Sequence, residues 1–170
     1  FSLFSALRFD FVASATTITV PTEFPTIQFA INNAASGDTI LVQKGVYYEN
    51  ISVNKSVSII GENENATIID GGGSSVVVSI TADNVSLSGF TVQNSNESGI
   101  LIESSFSNIS GNMITKNGLT GIYLNNSFGS LLFENIIMEN GGDGVFLVYS
   151  SNSVVFNNAV LGNNGGVRLY

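Results

Sequence analysis

Carboxylates are the main candidates for chemistry in this chain. Glu134, Glu139 and Asp143 lie close together in the sequence, and Glu62 and Glu64 form a second, smaller group. Carboxylate oxygens are ligands that Ca²⁺ prefers, so the first group predicts a calcium site if neighbouring turns bring its members together. The alternative is that both groups belong to a solvated acidic face, as charged residues on an acidic protein usually do.

Other catalytic chemistry is restricted by composition. The chain has no His and no Cys, so it lacks the commonest general base, thiolate nucleophiles, disulfides and soft-metal ligands. Met113 and Met138 are its only methionines, which further disfavours copper handling. We predict no catalytic residue and no cofactor apart from the Ca²⁺ alternative, and a non-enzymatic role is favoured while enzyme activity stays open.

The charge balance restricts the partners. There are 13 acidic residues against 5 basic ones, which disfavours binding to nucleic acids and to anionic membranes. No run of 18 apolar residues occurs, so no transmembrane helix is predicted.

Asn-x-Ser/Thr sequons are frequent. In an exported protein they would accept glycans, which would protect the surface, and we therefore predict an extracellular or cell-surface glycoprotein. The seven acceptor residues are Asn50, Asn54, Asn65, Asn84, Asn96, Asn108 and Asn125.

The carboxylates and sequons lie in a sequence that repeats itself, and this repeat determines where they are placed. Gly99, Gly121, Gly144 and Gly166 each begin a run of four residues that ends in Ile or Leu, and they recur at intervals of 22, 23 and 22 residues. A fixed period of this length is typical of units that bury their apolar side only by stacking on their neighbours. The unit consists of strands, because its apolar residues come in short alternating runs separated by Gly, Asn and Ser.

Two Asn columns follow the same period. Asn112, Asn135 and Asn158 form the first column, and Asn117, Asn140 and Asn163 form the second. We expect these Asn to lie at bends, where Asn tolerates the left-handed backbone conformation and its amide can pair with the Asn of the next rung. Their predicted role is structural.

Three strands and three turns fit 22 to 23 residues, which predicts an all-β parallel β-helix with one repeat per rung. Stacking at about 4.8 Å turns four apolar columns into its core. The columns are Leu87, Ile109, Leu132 and Val155; Val92, Ile114, Ile137 and Val160; Ile100, Ile122, Val145 and Val167; and Ile102, Leu124, Leu147 and Leu169.

The beginning of the repeat region resembles a known family. The stretches 26–34, 37–42 and 45–50 read TIQFAINNA, GDTILV and GVYYEN. They are similar to the opening of the right-handed parallel β-helix proteins of the pectin-lyase-like superfamily, in particular the NosD-type repeat proteins and archaeal surface proteins. The resemblance extends from Val20 to the end and implies a right-handed β-helix whose first rung is covered by a helix.

The resemblance implies a fold but no single activity, since the same coil carries lyases, hydrolases, epimerases, binding modules and inert shafts. Lyases of the superfamily use an Arg or Lys base over a Ca²⁺ site, and its hydrolases use Asp pairs. The chain has no adjacent Asp-Asp pair. None of its basic residues repeats a catalytic motif of the family; they are Arg8, Lys44, Lys55, Lys116 and Arg168.

The pattern divides the chain into an extended segment, 1–22, and a β-helix domain, 23–170. The domain is predicted to contain a helical cap at 25–35, irregular rungs at 38–83 and regular rungs at 84–170. In the extended segment Leu7, Phe9 and Phe11 share one face with Ala13. This face either packs on its own β-helix or docks on a neighbouring subunit by strand addition.

Two functions are compatible with these sequence features. An open last rung at Leu169 and Tyr170, together with the apolar N-terminal segment, predicts a structural subunit that self-associates head to tail into an oligomer or filament. The alternative is a carbohydrate-binding or polysaccharide-cleaving domain. It would use aromatic side chains to stack on sugars. The candidates are Tyr47, Tyr48, Tyr123 and Tyr149.

Overall fold

The computed structural model describes residues 14–170, and the account below concerns these residues. They form an all-β, right-handed parallel solenoid of about seven turns with one short helix, which confirms the predicted fold class. The helix, α1, spans Ile27–Asn33. No helix in this part of the chain is long and apolar enough to cross a membrane.

The strands follow one another closely along the chain. They are β1 (Thr17–Val20), β2 (Thr39–Val42), β3 (Gly45–Tyr48), β4 (Ile51–Val53), β5 (Ser58–Gly61), β6 (Thr67–Ser74), β7 (Val78–Ile80), β8 (Ser86–Ser88), β9 (Thr91–Ser95), β10 (Ile100–Ile102), β11 (Asn108–Ser110), β12 (Met113–Thr115), β13 (Ile122–Asn125), β14 (Leu131–Phe133), β15 (Ile136–Met138), β16 (Asp143–Val148), β17 (Val154–Phe156), β18 (Ala159–Leu161) and β19 (Gly165–Leu169).

Each rung gives one strand to each of three parallel sheets. The first sheet has the order β1-β2-β5-β8-β11-β14-β17, the second β3-β6-β9-β12-β15-β18, and the third β4-β7-β10-β13-β16-β19. Strand β1 lies in the part of the chain that the sequence assigned to the extended segment, yet it pairs in register with β2 and begins the first sheet.

The four predicted apolar columns are confirmed by the strand registers. Their members are buried from β8 to β16, and they become more exposed in the last rung. There Val155 and Val160 are half-buried, whereas Val167 is 46% exposed and Leu169 is 75% exposed. The core therefore runs along the axis and reaches the surface at β17, β18 and β19.

The repeated Gly has a steric cause. A Cβ on Gly121 would lie 2.5 Å from Cγ2 of Ile137 and 2.7 Å from the carbonyl oxygen of Gly144, which are distances that packed atoms do not tolerate. Gly99 is equally crowded, in its case by the amide of Asn117. Only Gly fits at these positions, where the chain begins a strand of the third sheet and passes close to the side chains of an Asn column.

The Asn columns pair as predicted. Oδ1 of Asn135 accepts hydrogen bonds from the backbone N–H and the Nδ2 of Asn112, at 3.1 and 3.2 Å, and Asn140 accepts the same pair from Asn117. These four side chains are buried. Because each amide both donates and accepts, identical residues can continue the ladder from rung to rung.

The predicted backbone conformation of the ladder Asn is wrong. The left-handed conformation belongs to the residue before each of them: φ is +60° at Gly111, +56° at Lys116, +55° at Glu134 and +56° at Glu139. The preceding residue makes the bend, which leaves the Asn free to turn its amide into the interior.

Helix α1 lies within the predicted cap region. Thr26 is its N-cap residue and its hydroxyl accepts a hydrogen bond from the N–H of Phe29. Ile27, Ala30 and Ile31 are buried against the first rung, so the helix closes the core at the N-terminal end.

Candidate functional site

The predicted calcium site does not form. Glu134 precedes β15 and Glu139 follows it, so the two carboxylates stand at opposite ends of one strand. Asp143 instead forms an ion pair with Arg168, with 2.5 Å between Oδ2 and Nη2. Residues 14–170 contain no group of three or more acidic side chains that could hold a metal ion.

Both carboxylates of the smaller acidic group accept hydrogen bonds within the protein. Oε2 of Glu62 accepts a hydrogen bond of 2.9 Å from the N–H of Lys44. Oε1 of Glu64 accepts one of 2.9 Å from Nδ2 of Asn65. Each carboxylate therefore stabilises a turn.

The seven sequon Asn differ in exposure. Five of them are exposed, while Asn108 and Asn125 are half-buried on strands of the first and third sheets. Several of their amides have partners: Nδ2 of Asn50 donates to the carbonyl oxygens of Ser75 and Val76, and Nδ2 of Asn125 donates to Glu103. A glycan could therefore point into solvent at the five exposed positions, whereas the side-chain oxygen of Asn108 is buried and has no hydrogen-bond partner among the described residues.

Two of the four candidate aromatic residues are structural. Tyr47 is buried, its hydroxyl donates to the carbonyl oxygen of Gln43, and burial together with the charges of Glu49 and Glu62 raises its pKa. The ring of Tyr123 stacks on Phe146 with 5.4 Å between centroids and an angle of 11° between the planes.

The Tyr123 stack continues along the third sheet. The guanidinium of Arg168 lies 4.2 Å from the centroid of the Phe146 ring. The facing sides of these rings are covered by their neighbours, so the stack seals the sheet surface and leaves little ring face for a sugar.

Tyr48 differs from these residues because it is 78% exposed. Asp70 and then Gln93 follow it in register on the second sheet. The carboxylate of Asp70 accepts hydrogen bonds from Gln93, Asn94 and the N–H of Gly72 at 2.7, 2.8 and 2.9 Å. Burial raises the pKa of Asp70, but these hydrogen bonds outweigh it and the pKa lies below its usual value. The result is an open aromatic ring beside an ordered, charged polar row.

Charged side chains fasten the helical cap. Glu49 accepts hydrogen bonds from the N–H groups of Ile27 and Gln28 at 3.0 and 2.9 Å, which satisfies donors at the start of α1. At the other end, Nζ of Lys55 donates to the carbonyl oxygens of Asn32 and Ala34 at 2.7 Å each. Both charges come from the turns around β4, so the first rung holds the helix at both ends.

Asp38 also stabilises the position of the cap. Its carboxylate accepts hydrogen bonds of 2.8 Å from the N–H groups of Thr16 and Ala35, and so joins the chain before β1 to the chain after α1. These two hydrogen bonds hold the pKa of Asp38 below its usual value.

Sequence reasoning missed these cap contacts and a third polar column. Ser107 donates its N–H to Oγ of Ser130, and Ser130 donates its N–H to Oγ of Ser153. The spacing of 23 residues was a usable signal, since it equals that of the Asn columns. The cap contacts left no such signal, because the contacts of Glu49, Lys55 and Asp38 are each made once and do not recur with the period of the repeat.

Both ends of the solenoid have edge strands and exposed apolar side chains. At the C-terminal end, here called the tail, β17, β18 and β19 each pair on one side only, and Leu169 and Tyr170 are exposed as predicted from the pattern. At the N-terminal end, the head, β1 is the corresponding edge strand of the first sheet within residues 14–170.

The head is completed by α1. Phe29 is 49% exposed and lies on the side of the helix opposite to its buried stripe. Its ring is 5.4 Å from that of Phe24. Head and tail thus each combine strand edges with exposed apolar side chains. The other predicted assembly residues, Leu7, Phe9 and Phe11, lie outside the described residues.

Comparison with known proteins agrees with the fold. The model of the family described as "Right handed beta helix region" matches residues 75–170. No curated protein matches the sequence. Among solved structures, that of a pectin methylesterase mutant in complex with a hexasaccharide is similar, at 12% identity and a TM-score of 0.49. The match covers 91% of this chain and 66%, just under two thirds, of that chain, and it is too distant to bear on function. The family match covers more than half of the sequence, and the chain belongs to the right-handed β-helix family.

Proposed function

We propose that this chain belongs to the NosD-type or archaeal surface-protein branch of the pectin-lyase-like superfamily, that it is a structural subunit of an extracellular surface or filament assembly, and that it stacks head to tail. The supporting observation is the pair of ends described above. The interior between them is filled by apolar columns and paired amides.

The topology favours continuation of the sheets. Strands β1 and β17 are the two edges of one seven-stranded parallel sheet, so the tail of one subunit can pair with the head of the next in the same direction. Such a heterologous contact does not close on itself and generates an open filament. Unpaired strand edges of this kind recruit other chains readily.

Apolar contacts would accompany this pairing. Val167 and Leu169 reach the surface at the tail, and Phe29 does so at the head. Covering such side chains stabilises an interface by about 25 cal/mol for each Å² removed from water. Glycans on the outward sequons would limit sideways contacts and leave the ends free.

Sedimentation velocity of the 170-residue chain over a wide concentration range tests this proposal. We expect the wild type to form a series of growing species and Leu169→Asp to remain monomeric. A matched control is Leu119→Asp, which places the same charge on an exposed leucine at the side of the rod. A wild type that stays monomeric at every concentration would overturn the proposal.

Carbohydrate binding is the second candidate, and Tyr48 is the observation that favours it. Its open ring could stack on a sugar face while the half-buried Gln93, which Asp70 holds by a hydrogen bond, binds a hydroxyl group. Affinity electrophoresis in gels containing soluble polysaccharides would test it. Tyr48→Ala should abolish any retardation, and Tyr149→Ala, at another exposed tyrosine, should not. Equal retardation of both variants would exclude Tyr48 as the binding residue.

A further inference from the structure

Asn-Gly pairs occur three times in the chain, each time in the regular rungs. They are Asn117-Gly118, Asn140-Gly141 and Asn164-Gly165. In such a pair the backbone nitrogen of the Gly can attack the side-chain carbonyl carbon, Cγ, of the Asn. Gly favours this attack because it has no Cβ to restrict the backbone or to shield the nitrogen. Each pair is therefore a candidate site of spontaneous deamidation, which converts the amide into a carboxylate.

Packing requires the Gly in the first two pairs. A Cβ on Gly118 would lie 2.5 Å from the carbonyl oxygen of Asn96, and a Cβ on Gly141 would collide with the carbonyl oxygen of Gly118. Packed atoms do not tolerate such contacts, so a larger residue cannot follow these ladder Asn. The repeat thus places the most reactive neighbour directly after two of the side chains that form the second ladder.

The ladder holds the amides of these two Asn in place. Nδ2 of Asn117 donates to the carbonyl oxygens of Val92 and Thr115 and to Oδ1 of Asn140, at 3.3, 3.1 and 3.0 Å. Asn117 and Asn140 are only 2% and 3% exposed. Because both side chains are held in the interior, Cγ cannot turn back towards the next backbone nitrogen while the protein is folded.

Asn164 is placed differently, in the last rung. It is exposed, and it belongs to neither ladder because the second ladder runs through the preceding residue, Asn163. Its N–H donates to the carbonyl oxygen of Asn140 at 3.3 Å, whereas the equivalent hydrogen bond one rung earlier, from Gly141 to Asn117, measures 2.8 Å. Terminal units of a structure also open at a lower free-energy cost than interior ones. We infer that Asn164 is the deamidation site of the folded protein and that the ladder protects Asn117 and Asn140.

The reaction needs only water. The nitrogen of Gly165 forms a bond to Cγ of Asn164, its proton passes to the departing amide nitrogen, and ammonia leaves. Water then opens the resulting five-membered succinimide ring at either of its two carbonyl carbons, which yields aspartate or isoaspartate, and no group is oxidised or reduced. Each event adds a negative charge to the tail, and isoaspartate also lengthens the backbone by one carbon directly before β19.

Peptide mapping by mass spectrometry, after the folded chain has been aged at neutral pH, tests the inference. We expect aspartate and isoaspartate to accumulate at position 164 at least tenfold faster than at positions 117 and 140. Reaction at the ladder positions has to wait for unfolding, and the unfolded fraction is on the order of 10⁻³ or lower. In urea all three positions should react at comparable rates, because each Asn is then followed by a flexible Gly.

A matched control is Asn164→Gln. It should remove most of the deamidation of the folded protein, since the longer side chain would have to form a six-membered ring, which closes more slowly. Equal rates at the three positions of the folded wild type would show that the ladder gives no protection. A rate at position 164 as low as that at 117 and 140 would show that the last rung is equally protected. Either result overturns the inference and leaves the sedimentation test of the proposed function unaffected.

Discussion

The capped head and the regular rungs satisfy their polar groups in different ways. At the head, single charged residues bind backbone groups: Glu49 and Lys55 hold the two ends of α1, and Asp38 joins the flanking chain. In the regular rungs, neutral side chains such as Asn112 and Asn135 bind one another. The first arrangement ends the solenoid, whereas the second repeats.

Hydrogen-bonding chemistry explains the difference. An amide donates through Nδ2 and accepts through Oδ1, so identical copies can stack without limit. A carboxylate only accepts, and two stacked carboxylates repel each other. A charged contact can therefore close the end of a ladder but cannot extend it.

Removing an amide from the middle of the ladder should have the largest effect. Asn135→Ala takes away the acceptor of two buried donors of Asn112 and the side-chain bond to Asn158. Each buried unsatisfied group costs about 1–3 kcal/mol, so we expect a loss of roughly 3–5 kcal/mol in the free energy of unfolding. Urea denaturation measures it. Asn164→Ala, an exposed Asn, is the control and should change stability by less than about 0.5 kcal/mol. Equal losses would contradict the ladder's role.

The repeated Gly allows a comparison within one column. Gly121→Ala forces a Cβ against Ile137 and the backbone of Gly144, and we expect a loss of about 3 kcal/mol. Gly166→Ala is the same change in the last rung, where nothing lies within 4 Å, and it should change stability by less than about 1 kcal/mol. Thermal unfolding of both variants checks the prediction. A large loss at Gly166 would mean that the last rung is packed differently.

Changes at the cap should be smaller and local. Glu49→Gln leaves one acceptor oxygen where two N–H groups are bound, and we expect a loss of about 1 kcal/mol. Hydrogen exchange should become faster in α1 and β1 but remain unchanged in β11 to β16. Glu97→Gln, at an exposed carboxylate in another turn, is the control. Faster exchange along the whole rod would show that the cap and the ladder do not unfold separately.

Acid should weaken the cap. The pKa of Asp38 is lowered in the folded state, so its stabilising contribution is complete above the usual carboxyl pKa of about 3.9 and is lost as the pH falls through the lower folded value. We expect Asp38→Asn to reduce the change in stability between pH 5 and pH 2.5. The ladder Asn do not titrate in this range. If Asp38→Asn has the same acid profile as the wild type, Asp38 does not contribute to acid sensitivity.

The sequence predicted the parts of the molecule that repeat. The columns through Leu87, Ile100 and Asn112 follow a period, and a period fixes register once one rung is placed. The calcium site failed because closeness in sequence places Glu134 and Glu139 at the two ends of one strand. The cap contacts were not predictable for a related reason: they join residues such as Gln28 and Glu49, whose pairing occurs only once.

The exposed Tyr48 and the buried Tyr47 show a further limit of prediction from the sequence. They are adjacent and chemically identical, and only the direction of β3 decides which side chain enters the core. Alternation along a strand predicts that they differ, but a run of four residues between two turns does not reveal which faces inward.

Mixing two variants with opposite defects tests the head-to-tail account most directly. Phe29→Asp leaves the tail intact and Leu169→Asp leaves the head intact, so each alone should be monomeric by sedimentation velocity. Their mixture should form a discrete one-to-one dimer, because one intact tail can still bind one intact head. Dimers of either variant alone would indicate a symmetric contact. A mixture that stays monomeric while the wild type associates would contradict the account.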